Sequence, residues 1–135
     1  MIIAVDFDGT VVTHEYPDIG AHIPGAFETL RELTALGHKI LLWTMRSGKE
    51  LDDARKLFAQ QGVDLWGANS NPEQHSWTSS PKQYAHIYID DAALGCPLMR
   101  GQHLRPMVDW VKVRILLREK GINLRSYDTL PQRVK

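Results

Sequence analysis

Two pairs of aspartates, Asp6-Phe7-Asp8 and Asp90-Asp91, each follow directly on an apolar run, Met1 to Val5 in the first case and Ile87-Tyr88-Ile89 in the second. Asp is disfavoured in a strand interior, so both pairs belong where a strand leaves its sheet. Gly9 lets the backbone turn sharply after the first pair, and Thr10 follows. Acids crowded together repel unless a proton or a cation lies between them. Asp6 and Asp8 therefore read as half of a magnesium site, with Asp90 and Asp91 facing them. Mg²⁺ prefers oxygen ligands, needs few carboxylates and keeps several waters, which suits this set. Thr44 closes a third apolar run, Ile40-Leu41-Leu42-Trp43, and Lys82 enters just before the run that leads to Asp90. Taken singly, Thr44 would satisfy backbone at a strand end, Lys82 would be a solvated surface lysine and Asp91 would cap a turn. Together they present acids, a hydroxyl and an ammonium to one place.

The elements that must position them alternate between strand and helix. Apolar runs at Met1–Val5, Lys39–Trp43, Val63–Trp66 and His86–Ile89 predict four strands, short and buried on both faces. Pro24-Gly25 opens a helix to about Leu36, with Phe27, Leu30 and Leu33 on one side and Gly37 as its stop. Ser47-Gly48-Lys49-Glu50 has capping-box spacing and starts a second helix, with Leu51, Ala54, Leu57 and Phe58 inward and Gly62 at its end. Residues 67–80 are turn-rich and read as a loop, and Ser80-Pro81-Lys82 predicts a short helical turn. After a loop through Gly101, Pro106 starts a last helix to about Lys120, striped by Met107, Val111 and Ile115 with Trp110 beside them. Residues 121–135 read as an edge segment or tail. This alternation argues for a single α/β domain over 1–135, a three-layer doubly wound, Rossmann-like parallel sheet in strand order 3-2-1-4. Strand one would then lie between strands two and four, with Asp6 and Asp8 opposite Asp90 and Asp91 where the winding reverses.

Composition narrows the class. The 135 residues are 43% hydrophobic and 24% charged, as in a soluble globular domain, and no apolar run approaches the ~20 residues that cross a membrane. One cysteine, Cys96, excludes an internal disulfide and fits a reducing cytoplasm; it reads as a loop thiol. Net charge is zero, yet residues 112–135 hold seven Lys/Arg against two Asp/Glu. Such a segment can attract phosphate-rich partners, nucleic acid among them, but is more often a solvated helix face and tail.

At these residues the chain resembles the haloacid dehalogenase superfamily, in its phosphatase-like members. Asp6-Phe7-Asp8-Gly9-Thr10 matches that family's first motif in full. Leu41-Leu42-Trp43-Thr44 is similar to the second, Lys82 to the third and Ile87-Tyr88-Ile89-Asp90-Asp91 to the fourth. The resemblance implies a Mg²⁺-dependent phosphohydrolase acting on a phosphorylated substrate. Asp6 would be the nucleophile that becomes an aspartyl phosphate, and Asp8 the general acid and then base. Asp6, the backbone carbonyl of Asp8, Asp90 and Asp91 would hold the ion, and Thr44 and Lys82 would bind the phosphoryl group, with Thr10 at the same site. An acid at position 8 favours phosphoester chemistry over dehalogenation, because halide departs without a proton.

The intervals between motifs leave no room for the sizeable cap many members carry, so the site should be open to a macromolecule or completed by another subunit. Arg46 would contact a substrate's second anion or lie on the surface. His14, His22 and His75 read as surface residues, and Asn69 and Asn71 as turn formers. The alternative is a non-catalytic phosphate-binding or receiver-like signalling domain. Receivers, however, carry the accepting Asp at the end of strand three, where this chain reads Leu65-Trp66-Gly67.

Overall fold

The N-terminal run becomes the centre of a sheet because both its edges find parallel partners. In the computed structural model, which describes residues 1–101 and 105–126, β1 (Ile2–Val5) pairs with β2 (Lys39–Leu42) on one side. On the other it pairs with β4 (Ile87–Ile89), and β2 in turn pairs with β3 (Leu65–Ala68). All are parallel, in the order β3-β2-β1-β4 expected from the sequence. No cap domain is inserted among the described residues. The run from β1 to β2 is spent on a loop and α1 (Ala26–Ala35), and that from β2 to β3 on α2 (Gly48–Gln60).

Side chains alternate across a strand, and here the alternation separates two unequal faces. Ile3, Val5, Ile40 and Leu42 point to a core built with Phe27, Leu30 and Leu33 of α1, and with Ala54 and Phe58 of α2. Trp110, Val113 and Leu117 of α3 (Trp110–Glu119) complete it. Each fully buried large side chain there is worth about 1.5–3 kcal/mol. The opposite face carries Ala4, Leu41, Trp43 and Trp66, covered by Ala85 rather than by an α-helix. The crossover from β3 to β4 supplies that cover as extended chain with a single 3₁₀ turn, Gln74–Ser76. The third layer is therefore thin.

Several boundaries differ from the sequence reading. β3 starts two residues later than expected, at Leu65, and Val63 ahead of it is buried in the core; the pairing with β2 shifts register between Ile40 and Leu41. Ser80-Pro81-Lys82 is not helical; the 3₁₀ turn lies upstream. Ser47 flanks α2 but makes no side-chain cap, so that capping box is not formed. The last helix begins at Trp110, capped by Asp109, whose carboxylate accepts from Lys112 N at 3.2 Å. Met107–Val108 is instead β6, antiparallel to β5 (Leu98–Met99). The buried stripe of α3 is Trp110, Val113 and Leu117, so Val111 and Ile115 are exposed. Residues 121–126 are not a tail: Ile122 and Leu124 are buried, and Arg125 N donates to Glu32 at 2.7 Å. Residues 127–135 of the expected tail, and 102–104 of the loop before the last helix, lie outside the described residues.

Candidate functional site

The parallel register brings three strand ends level. Val5 is opposite Leu42 and Ile89, and the ladder continues one step further, with Trp43 N donating to Val5 O at 2.8 Å and Asp6 N to Ile89 O at 3.0 Å. Phe7 returns to the helix-side core, so Asp6 and Asp8 share the parity of Ala4 and belong to the thinly covered face.

Three of the four expected acids converge. Asp6, Asp90 and Asp91 each offer a carboxylate oxygen within 4.8 Å of the others. Burial, reinforced first by the charge of Asp90 and then by Asp91, pushes the pKa of Asp6 up to about 8. Asp90 is raised as well, again chiefly by burial, although its carboxylate accepts from Ala92 N at 2.8 Å. The donor set is all oxygen and over-rich in negative charge, so it fits Mg²⁺.

Asp8 is not in the cluster. Its two carboxylate oxygens accept from Arg46, Oδ2 from Nε at 2.9 Å and Oδ1 from the terminal nitrogen at 2.8 Å. Only its backbone carbonyl, which no hydrogen bond among the described residues engages, remains for a metal. Arg46 corrects both expectations held for it: it neither lies on the surface nor faces a substrate anion, being 1% exposed. It also donates to the carbonyls of Pro17 and Asp18, tying the 14–20 excursion to the site, and its guanidinium lies over the Phe7 ring at 4.9 Å. The Asp8 carboxylate raises the pKa of Arg46.

Thr10 is also corrected from substrate contact to support. It is fully buried; its hydroxyl donates to Asp6 Oδ2 at 3.3 Å and accepts from Asp91 N at 3.2 Å. Its carbonyl is held by the Trp110 indole N–H at 2.7 Å. Thr10 thus ties the first strand end to the fourth. Thr44 sits at the end of β2, partly exposed, its hydroxyl accepting from Arg46 N at 3.1 Å. Lys82 is not brought to the acids. It is exposed, with its ammonium 5.7 Å from the centre of the Tyr88 ring.

Two residues taken as bystanders belong to the assembly. His14 is not a surface residue: its Nε2 lies 3.0 Å from Asp91 Oδ2, each side chain 17% exposed. Asn69 does form a turn, with φ of 54°, but it also accepts from Thr44 N at 2.8 Å and donates to Arg46 O at 3.4 Å. No spacing rule links His14 to a partner 77 positions away; the available hint was that His14 closely follows the Asp-x-Asp-Gly-Thr turn.

Comparison with known proteins adds one likeness. No family model matches the chain, and no curated protein does. The structure of a conserved protein from Bacteroides thetaiotaomicron is similar: 39% identical, with a TM-score of 0.74 over 89% of this chain and 91% of that one.

Proposed function

We propose that this chain, which belongs to one family with the conserved Bacteroides thetaiotaomicron protein, is a small capless Mg²⁺-dependent phosphatase of the haloacid dehalogenase superfamily. The observation that carries the reading is the convergence of Asp6, Asp90 and Asp91 within 4.8 Å at the carboxyl end of the parallel sheet, with Asp6 too buried to ionise comfortably without a cation. Carboxyl ends of parallel strands are where open α/β sheets bind ligands.

Bound Mg²⁺ would offset the repulsion between a carboxylate and a phosphate dianion and draw charge from the phosphoryl oxygens. Asp6 attacks phosphorus, the bond to the leaving oxygen breaks, and the phosphoryl group rests on Asp6 until water removes it; covalent transfer divides one difficult displacement into two. Asp8 hands a proton to the leaving oxygen and then takes one from water. Both its oxygens accept from Arg46, so a proton enters only as one arginine N–H lets go. The Thr44 hydroxyl keeps its own proton to donate to a phosphoryl oxygen. Lys82 supplies the ammonium: a cation–ring contact at an exposed site is worth only about 0.5–1 kcal/mol, so phosphate can recruit it. Thr10 and His14 position Asp6 and Asp91.

The receiver-like alternative is disfavoured by β3, which ends at Ala68 and is followed by Asn69 instead of an acid. The test is hydrolysis of p-nitrophenyl phosphate with and without Mg²⁺, alongside Asp6→Asn. Mg²⁺-dependent turnover abolished by that substitution supports the reading. Turnover that survives it, or none across a broad phosphoester panel with Mg²⁺ bound, overturns it.

A further inference from the structure

The crossover that covers the thin face bears an open cleft of about 520 Å³ lined by residues between 69 and 83. That size falls in the range of small-molecule sites. Building on the phosphatase reading, we propose that this cleft receives the alcohol half of the substrate, and that this half is a neutral polyhydroxylated group, a sugar or polyol.

Position comes first. Asn69, on the cleft wall, follows directly on Ala68, which is level with Leu42 and Val5 across the sheet. With adjacent strands about 4.8 Å apart, its backbone lies about 10 Å from that of Asp6. The crossover lies over the face to which Asp6 belongs by parity, and Thr44 stands between them with its N–H held by Asn69. A phosphoryl group at Asp6 with its ester oxygen toward β2 would carry its alcohol across Thr44 into the cleft, the reach of a monosaccharide phosphate.

Chemistry then selects the occupant. Among the described residues, those lining the cleft include no lysine, arginine, aspartate or glutamate, and His75 is the one ionisable side chain there to meet a second anion. Its buried amides are already spent on holding the loop: Asn71 bonds Tyr84 O and Glu73 N, and Gln74 bonds Ser80 O, Lys82 O and Tyr84 N. The walls are thereby preorganised, which lowers the ordering cost of binding. Unspent capacity remains in hydroxyls. Thr78 and Ser80 accept from the N–H groups of Ser80 and Lys82 and keep their own protons to donate, and Ser79 is exposed beside them. Gln83, 1% exposed, donates to Leu42 O and Ser70 O and so fixes the loop behind them. A wall of hydroxyls and amides with two prolines, Pro72 and Pro81, and one imidazole, His75, suits an alcohol-rich ligand. The exposed aromatics nearby, Trp77 and Tyr84, pack edge-on against each other outside this lining.

The experiment compares kcat/KM, with Mg²⁺, for glucose 6-phosphate, sorbitol 6-phosphate, AMP, a phosphotyrosine peptide and p-nitrophenyl phosphate, in the wild type and Ser79→Trp. The expected result is at least a tenfold preference for the sugar and polyol phosphates over AMP and the peptide. Ser79→Trp should erase that preference by raising KM for the sugar and polyol phosphates at least tenfold. Equal efficiency across the panel, or an equal loss on every substrate in the variant, overturns the proposal. A second measurement is independent of catalysis: amide NMR shifts on titrating free sorbitol into the wild type without metal. Shifts confined to residues 69–83 sustain the cleft even if no phosphoester is hydrolysed, in which case the phosphatase reading alone falls. Absence of such shifts together with no sugar preference overturns it.

Discussion

Asp8 and Arg46 show how one side chain can be read correctly for type and wrongly for role. An arginine two residues past a strand end gives no sequence signal of burial, since long charged side chains are almost never fully buried unless paired. The pairing partner is 38 positions away, and only the fold brings the two together. The two-pronged geometry makes the pair specific to arginine. Arg46→Met should leave the Asp8 carboxylate with no counter-charge and release the Pro17 and Asp18 carbonyls, costing about 3–5 kcal/mol. Arg46→Lys should recover only part of that, because an ammonium cannot serve both oxygens and both carbonyls in one plane. Chemical denaturation measures both; a loss under 1 kcal/mol in the methionine variant would mean the fork carries little of the loop's stability. Asp6, Asp90 and Asp91 were legible as one cluster because each pair of acids follows an apolar run. Thr10, His14 and Asn69 were not legible as its supports, because support is a matter of contact and contact has no spacing.

At the scale of the element, the turn after β1 matters most, and Gly9 governs it. Its φ is +81°, and a Cβ there would collide with the His14 ring and the Asp91 carboxylate. The left-handed conformation alone costs a non-glycine residue about 1–2 kcal/mol, and the collision would push the fourth strand end away from the first. Gly9→Ala should therefore lower kcat by at least tenfold while leaving the α/β fold intact by circular dichroism. Activity near the wild-type level would show that the His14–Asp91 contact is dispensable. At the helix ends, Asp109 caps α3, and Asp109→Ala should cost about 1 kcal/mol in thermal unfolding. No change would mean the helix is held by Trp110 and its packing alone. The strand order followed from alternation and right-handed crossovers, and the central elements stand where their apolar runs put them. Errors gathered where two signals compete. In α3, apolar residues occupy positions 110, 111, 113, 115, 116 and 117, nearly around the helix, so periodicity alone left the buried side ambiguous. In β3, Val63 is apolar and buried but pairing with β2 begins only at Leu65, and no local pattern encodes where pairing begins.

For the molecule as a whole, three helices of the described residues on one face and a thin crossover on the other leave the acidic strand ends close to solvent, and on the proposed reading folding and metal binding would be linked through Asp6. Its pKa is about 8 in the metal-free fold against an ordinary 3.8. Below 3.8 it is protonated whether the chain is folded or not, and contributes no pH dependence. Between 3.8 and 8 the unfolded chain has released the proton while the folded chain retains it. Each unit of rising pH then disfavours the fold, by at most about 1.4 kcal/mol, and the loss levels off above 8. His38, lowered from 6.5 by burial and by the N-terminal ammonium, works in the opposite sense up to about that pH. The clean window is therefore 6.5 to 8; Asp90, also raised by burial, acts in the same sense as Asp6. The metal-free protein should lose thermal stability across that window, and Asp6→Asn should flatten most of the decline and be the more stable form at pH 8. Mg²⁺ favours the ionised carboxylates, so the stabilisation it gives the wild type should grow as pH rises to 8 and then level off, with proton release on binding. Melting curves for both proteins with and without Mg²⁺, and calorimetry in buffers of different ionisation enthalpy, measure this directly. Parallel pH profiles for wild type and Asp6→Asn would show that Asp6 carries no shifted proton, and the case for a cation among these three acids would lose its electrostatic half.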